Sequence, residues 1–262
     1  MAIEVFNRYE NKYLLDGDTF EKLQSGLCRS MGLDTHNQGQ ETYPVASLYY
    51  DTPDNTLIRT SLEKPRYKEK LRLRAYGVPG PDEKVYVEIK KKAAGLVNKR
   101  RSALRLEDAY DFLASGEPPR PRPYQNRQVL GEIAYLLQTY DLYPAVYLAY
   151  DRLAWFGTAE PDLRVSFDRN IRTRRYDLAL EAGDYGSPLL PDGCWLMEIK
   201  AARSIPLWLC RLLSDYEIYP TSFSKYGTEY QKTLEAAKAP QLVYHFQPQK
   251  AARPRKAAAA NA

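Results

Sequence analysis

Charged and apolar residues alternate with a period of two through about half a dozen short stretches of this chain. In Lys70-Leu71-Arg72-Leu73-Arg74, cations hold every second position and leucines fill the places between. Successive side chains of an extended strand point to opposite faces, so Lys70, Arg72 and Arg74 share one face and the leucines the other. The phasing recurs with Glu88 and Lys90 against Val87 and Ile89, and with Lys99, Arg101, Ala103 and Arg105 on one face. It recurs again with Arg164, Ser166 and Asp168 against Val165 and Phe167, and with Glu198 and Lys200 against Met197 and Ile199. Residues 3–15 show it near the start, where Arg8, Glu10 and Lys12 alternate with Tyr9 and Tyr13. Strands are also expected over 45–51 and 145–156, the latter carrying Arg152.

Between these strands the apolar spacing switches to that of helices. Phe20, Leu23, Leu27 and Met31 line one face of a helix that Asp18 is placed to cap, with Glu21 three residues on. Residues 55–62 fit a short helix or strand, and 106–114 fit a helix ended by Gly116. Helices are further expected over 127–140, 206–216 and 225–238. The two charged strands 67–76 and 84–92 are joined by a Gly- and Pro-rich loop, so they should pair antiparallel. The proline- and arginine-rich stretch 118–123 reads as a connector, not a boundary, because strands of one style lie on both sides. The expectation is one α+β domain over 1–247 and a disordered basic tail over 248–262. Its core would be an antiparallel β-barrel tunnel of about eight strands with amphipathic helices packed outside.

Composition narrows the chemistry. The chain has 262 residues, 44% hydrophobic, which is enough for a substantial core. Three cysteines, Cys28, Cys194 and Cys210, form no CxxC pair, so neither a zinc site nor a disulfide framework is expected. They read as buried, reduced thiols. No signal-like segment and no run near the ~18 apolar residues of a membrane helix occurs, so a cytoplasmic protein is expected.

Formal net charge is only +5, but its placement is uneven. The suspected shared face carries Arg8, Lys12, Lys70, Arg72, Arg74, Lys90, Lys99, Arg101, Arg152, Arg164, Lys200 and Lys225. Against these twelve cations stand four carboxylates, Glu10, Glu88, Asp168 and Glu198, leaving that face at +8. A face more positive than the whole protein suits an anionic ligand. Arginine forks and lysine ammonium groups suit phosphate, and the few carboxylates among them suggest a divalent metal on hard oxygen ligands. No nucleic-acid-binding motif is recognisable, and the chain has no GxxxxGK[ST], GxSxG or HExxH sequence. With His36 and His245 alone, a histidine-based triad is not expected.

The motifs Arg8-x-Glu10-x-Lys12-Tyr13, Ser47-Leu48-Tyr49-Tyr50-Asp51-Thr52 and Leu71-Arg72-Leu73-Arg74-x-Tyr76-Gly77 resemble the VTC domain, the catalytic part of the vacuolar transporter chaperone. So do Val87-Glu88-Ile89-Lys90, Lys99-x-Arg101, Tyr150-x-Arg152, Arg164-Val165-Ser166-Phe167-Asp168, Met197-Glu198-Ile199-Lys200 and Ser224-Lys225-Tyr226. The likeness runs over roughly 3–238 and places the chain in the triphosphate tunnel metalloenzyme, or CYTH-like, group. It implies a metal-dependent polyphosphate polymerase that moves the ATP γ-phosphate onto a growing inorganic polyphosphate chain. The phosphate grips would be Arg8, Lys12, Lys70, Lys90, Lys99, Arg101, Arg152, Arg164 and Lys225. Arg72, Arg74 and Lys200 would be catalytic, with Lys200 near the transferred phosphoryl. Glu198, helped by Glu88, would hold Mn2+ or Mg2+. Ligands would be ATP, polyphosphate, pyrophosphate or triphosphate, with no nucleic acid. Arg8 stands where tunnel hydrolases carry the first glutamate of ExExK, which favours the polymerase branch. The resemblance is to the stand-alone bacterial form, so any membrane-protein partner would be a separate chain. A tunnel triphosphatase and a non-enzymatic polyphosphate or nucleotide sensor stay open as alternatives.

Overall fold

The computed structural model describes residues 9–37, 41–93, 96–202 and 204–238. Arg8 and the expected tail 248–262 lie outside the described residues. In chain order the elements are β1 (Tyr9–Leu15), α1 (Gly17–Leu27), β2 (Met31–Leu33), β3 (Tyr43–Asp51), α2 (Thr56–Leu62), β4 (Tyr67–Ala75), β5 (Lys84–Ala93) and β6 (Leu96–Arg105). There follow α3 (Leu106–Ser115), α4 (Arg127–Thr139), β7 (Tyr143–Gly157), β8 (Arg164–Arg174), β9 (Ser187–Pro188), β10 (Trp195–Ala201), α5 (Leu207–Asp215) and α6 (Lys225–Lys238). Among the described residues no helix is long and apolar enough to cross a membrane.

The strands form one antiparallel sheet whose main path is β1-β10-β8-β7-β3-β4-β5-β6, with β2 on β7 and β9 on β8. Eight strands in that path match the number expected. Among the described residues no backbone pairing joins β6 to β1, so hydrogen bonds do not close the barrel. The sheet curls nonetheless, because Glu10 on β1 reaches Lys90 on β5 at 3.8 Å.

The leucine face of the charged strands packs outward, as its phasing requires. Leu71, Leu73, Val87, Ile89 and Leu104 join Phe112 of α3 and Leu130 and Ile133 of α4 in one cluster. Val165, Phe167, Met197 and Ile199 join Phe20, Leu23 and Leu27 of α1 and Leu209 of α5 in another. Local sequence sets the helix ends. Asn126 accepts a hydrogen bond from the Val129 amide and caps α4, a contribution of about 1 kcal/mol. Gly116 ends α3 at φ +76°, a backbone state that glycine adopts without a Cβ clash.

Three local expectations change and one open choice is settled. Met31, expected on the face of α1, instead opens β2, because α1 ends at Leu27. The cap of α1 is Asp16, which accepts from the Thr19 amide, not Asp18. Residues 56–62 are helical, because both carboxylate oxygens of the buried Asp51 accept amides of the first turn, at Leu57 and Ile58. Cys28 and Cys210 are exposed and not buried, since they lie at the end of α1 and on α5, away from the packed helix faces.

A further difference concerns α6, which packs against the same face as the charges. Tyr226 and Tyr230 bury against Tyr49, Val146, Leu148, Ile171 and Leu196. Leu148 and Leu196 alternate with outward-facing neighbours, so they share the inner face with Arg152 and Glu198. Part of the inner face is therefore an apolar seat for this helix. Arg175 anchors it through paired bonds of 2.7 and 2.8 Å to Glu229, and Asp51 accepts the Tyr226 hydroxyl at 2.8 Å.

Candidate functional site

Around that seat the charged side chains meet in two groups. The first centres on Glu88 of β5, whose side chain is 1% exposed. Arg72 of β4 approaches one of its oxygens at 2.7 Å through Nε and Nη2, and Arg74 Nε stands 4.0 Å away. Lys99 of β6 meets the other oxygen at 2.9 Å. Register explains the meeting, because Arg72 lies directly opposite Glu88 across the β4–β5 ladder. Burial alone would raise the Glu88 carboxyl, but Arg72, Arg74 and Lys99 together hold it well below its usual range. Burial pushes Lys99 down to about 7, with Glu88 only partly opposing it.

The second group centres on Glu198 of β10 and Asp168 of β8. Lys200 stands 3.2 Å from Glu198, Lys225 3.5 Å and Lys12 3.7 Å. Asp168, fully buried, takes a paired grip from Arg152 at 2.6 and 2.8 Å and also bonds Lys225. Lys225 is the first residue of α6, so the helix seated on the inner face delivers this cation. Burial works to raise both carboxyls, yet the lysines around Glu198 and the Arg152 and Lys225 charges beside Asp168 keep them below their ordinary values. Lys12 lies 3.5 Å from Glu10 as well, and Glu10 reaches Lys90. These ties join β1, β5, β8, β10 and α6, and only a curled sheet brings those elements together.

The other expected grips lie around these groups. Lys70 stands 3.4 Å from Ser224 Oγ, and burial carries its ammonium down to about 8. Arg164 meets Asp34 at 3.3 Å and Tyr43 Oη at 3.4 Å. Arg101 is exposed over the ring of Tyr86, 4.7 Å from its centroid. Glu88, like Glu198, is enclosed with both oxygens facing cations. Two carboxylates share a cation with Glu198, Glu10 through Lys12 and Asp168 through Lys225.

Sequence reasoning overlooked several neutral partners. Tyr49 Oη accepts from Arg72 at 3.0 Å, Ser47 Oγ from Arg74 at 3.3 Å and Tyr150 Oη from Arg74 at 3.3 Å. Burial would raise the Tyr49 hydroxyl, but Arg72, Arg74 and Lys70 bring it down to about 8. Its alternation with Leu48 and Tyr50 was the available signal, placing Ser47 and Tyr49 on one face. Hollows lined by Asp108, Asp111 and Arg120, and by Arg169, Pro188 and Trp195, contain none of these inner-face residues.

The inner face therefore combines forked arginines, lysine ammonium groups and a few enclosed carboxylates, the order of donors found in the motifs from Glu10 to Lys225. The family model described as the VTC domain matches residues 7–234. The chain belongs to the VTC domain family. A Trypanosoma cruzi protein, vacuolar transporter chaperone complex subunit 4, is 25% identical in an alignment 216 residues long that covers 68% of this chain. This chain spans only 27% of that relative. The crystal structure of a Bacillus halodurans "putative adenylate cyclase" has 15% identity and a TM-score of 0.51, covering 85% of this chain and 94% of its own. A Hippeastrum adenylyl-cyclase candidate with a dominant triphosphatase activity is 16% identical, covering 90% of this chain and 99% of its own, at a TM-score of 0.47. The likeness to the Bacillus structure is one of fold, an antiparallel sheet curled here around the charged inner face.

Proposed function

We propose that this VTC domain is a polyphosphate polymerase, transferring the γ-phosphoryl group of ATP to the end of an inorganic polyphosphate chain. The observation that supports this reading is the clustering of Arg72, Arg74, Lys99, Lys12, Lys200 and Lys225 around two enclosed carboxylate centres. Fixed cations beside buried counter-charges are held in place before substrate arrives, so they need little reorganisation when it does. The terminal oxygen of the acceptor chain attacks the γ-phosphorus in line. A new P–O bond forms, the bond to the bridging oxygen breaks, and ADP leaves with that electron pair. No protein nucleophile is required.

Arg72 and Arg74 grip one side of the phosphate chain, and Lys12, Lys200 and Lys225 the other. Their present carboxylate partners hold them apart from one another until phosphate oxygens take over. Two carboxylates with a shared lysine, Glu198 and Glu10, fit a magnesium- or manganese-type ion, which takes one or two protein carboxylates plus phosphate oxygens. Bound there, such an ion would supply charge neutralisation at the phosphate oxygens. The sequence position of Arg8, in place of a further glutamate, supports the polymerase over the triphosphatase.

The test is incubation of the purified protein with ATP and manganese, with products resolved as polyphosphate, ADP, AMP and free phosphate. Polyphosphate with equimolar ADP is expected. ADP and free phosphate alone would replace the polymerase with a hydrolase, and tight binding without turnover would replace it with a sensor.

A further inference from the structure

The row of phosphate grips on β4 does not stop at Arg74. Tyr76, two residues further on and just past the strand end, is 47% exposed. Its ring meets Tyr86 edge-on with centroids 5.9 Å apart. It lies parallel to the His36 ring, with 6.0 Å between centroids and 6° between planes. Tyr43 stands 6.2 Å from Tyr76 and 5.7 Å from His36. Four aromatic rings from β3, the β4 end, β5 and the segment after β2 thus converge.

Their position relative to the charges is set by register. Tyr86 faces Arg74 directly across the β4–β5 ladder and shares its strand face with Glu88 and Lys90. Tyr43 Oη lies against Arg164. Arg101, which has no carboxylate within bridging distance among the described residues, covers Tyr86 at 4.7 Å. At the opposite end of the β4 row, Lys70 is turned against Ser224 of the segment entering α6. Read outward from α6, the row on β4 is ammonium, guanidinium, guanidinium, then an exposed aromatic face. Two residues of strand advance about 7 Å, so the aromatic cluster begins roughly one ribose beyond the last arginine.

From this we infer that the rim formed by Tyr76, His36, Tyr43 and Tyr86 is a stacking subsite for the base of the nucleoside triphosphate donor. The inference rests on the phosphate-transfer reading and adds the donor's orientation: base outermost on Tyr76, γ-phosphate innermost towards α6. Inorganic phosphate chains have no π-face, and a run of phosphates gains nothing from a neutral ring. A heterocyclic base gains stacking area on Tyr76 and His36 whatever its edge groups, because every base has a π-face. The Arg101 guanidinium, already stacked on Tyr86, is free to meet the α-phosphate or the base. The rim therefore separates the nucleotide donor from the all-phosphate acceptor, which have the same charged groups.

Direct binding measurements on Tyr76→Ala and Tyr76→Phe, with ATP and with inorganic triphosphate as the two probes, test the assignment. Wild type should bind ATP more tightly than a count of phosphates alone explains. Tyr76→Ala should weaken ATP binding about tenfold or more, with inorganic triphosphate affinity changed less than about twofold. Tyr76→Phe, which keeps the ring, should retain ATP affinity. Melting temperatures of both variants check that the fold persists. Equal loss for both probes, or no loss for ATP, would overturn the stacking subsite while leaving the phosphate reading intact. Failure of wild type to bind either probe would overturn the phosphate reading and the subsite with it.

Discussion

Replacing Glu88 by Gln removes one negative charge from among Arg72, Arg74 and Lys99 and keeps nearly the same volume. Arg72 loses a charged partner at 2.7 Å, and Lys99 one at 2.9 Å. Breaking a buried ion pair by removing one partner typically costs about 3–5 kcal/mol. Here water reaches part of the cluster, because the Lys99 side chain is 39% exposed, and the glutamine carbonyl still accepts one bond. A cost of about 2–3 kcal/mol is the appropriate scale. For a chain of this size each kcal/mol moves the melting temperature by about 2–4 °C, so a fall of roughly 4–12 °C is expected. The same change makes the inner face more positive, so a polyanion should bind the variant more tightly than wild type. Ligand at a hundred times its dissociation constant adds about 2.7 kcal/mol of stability, enough to offset the loss. Thermal melts with and without millimolar inorganic triphosphate, at low and high salt, measure both effects. The variant should melt early, regain more than wild type on adding triphosphate, and lose that extra gain as salt screens it. An unchanged melting temperature, or equal ligand shifts in the two proteins, would refute the idea that Glu88 is the counter-charge of an anion site.

Glu198→Gln should leave polyphosphate binding intact or tighter, since it removes an anion from among Lys12, Lys200 and Lys225, while metal-dependent ATP turnover falls by orders of magnitude. Wild-type turnover in a steady-state assay would sink its assignment as the metal ligand. Burial holds Lys99 at about 7 and Lys70 at about 8, and a bound polyanion favours their charged forms. Triphosphate binding at pH 8 should therefore take up protons, and affinity should decline as pH rises through 7 to 8 and beyond. Calorimetry in two buffers of different ionisation enthalpy reads that uptake directly, and zero uptake contradicts it. Glu88 and Glu198 are held below the carboxylate value of 4.5, so the stability they contribute is present above that pH and lost as pH falls below it. Denaturant midpoints should hold near neutrality and drop in acid below 4.5, with a shallower drop in Glu198→Gln.

Sequence alone determined the strands of the main sheet path (though not the short β2 and β9), most of the helices and the identity of the charged face. The reason is local: period-two alternation in Lys70 to Arg74 or Met197 to Lys200 fixes which side chains share a face, whatever the strand later pairs with. It also carried the family, because motifs such as Arg72-Leu73-Arg74 and Glu198-Ile199-Lys200 are written in consecutive residues. Tertiary structure decided how the face is used. Alternation cannot say that Arg72 meets Glu88 while Glu10 shares Lys12 with Glu198, since those meetings depend on register and curl between strands distant in sequence. Nor could the pattern of α6 reveal that its apolar side rests on the inner sheet and carries Lys225 to Asp168. Alternation equally left Tyr76 a strand-end tyrosine. Only the folding of β3, β5 and the segment after β2 onto one edge makes it part of an aromatic rim, because a contact between rings is a property of distance in space and not of spacing along the chain.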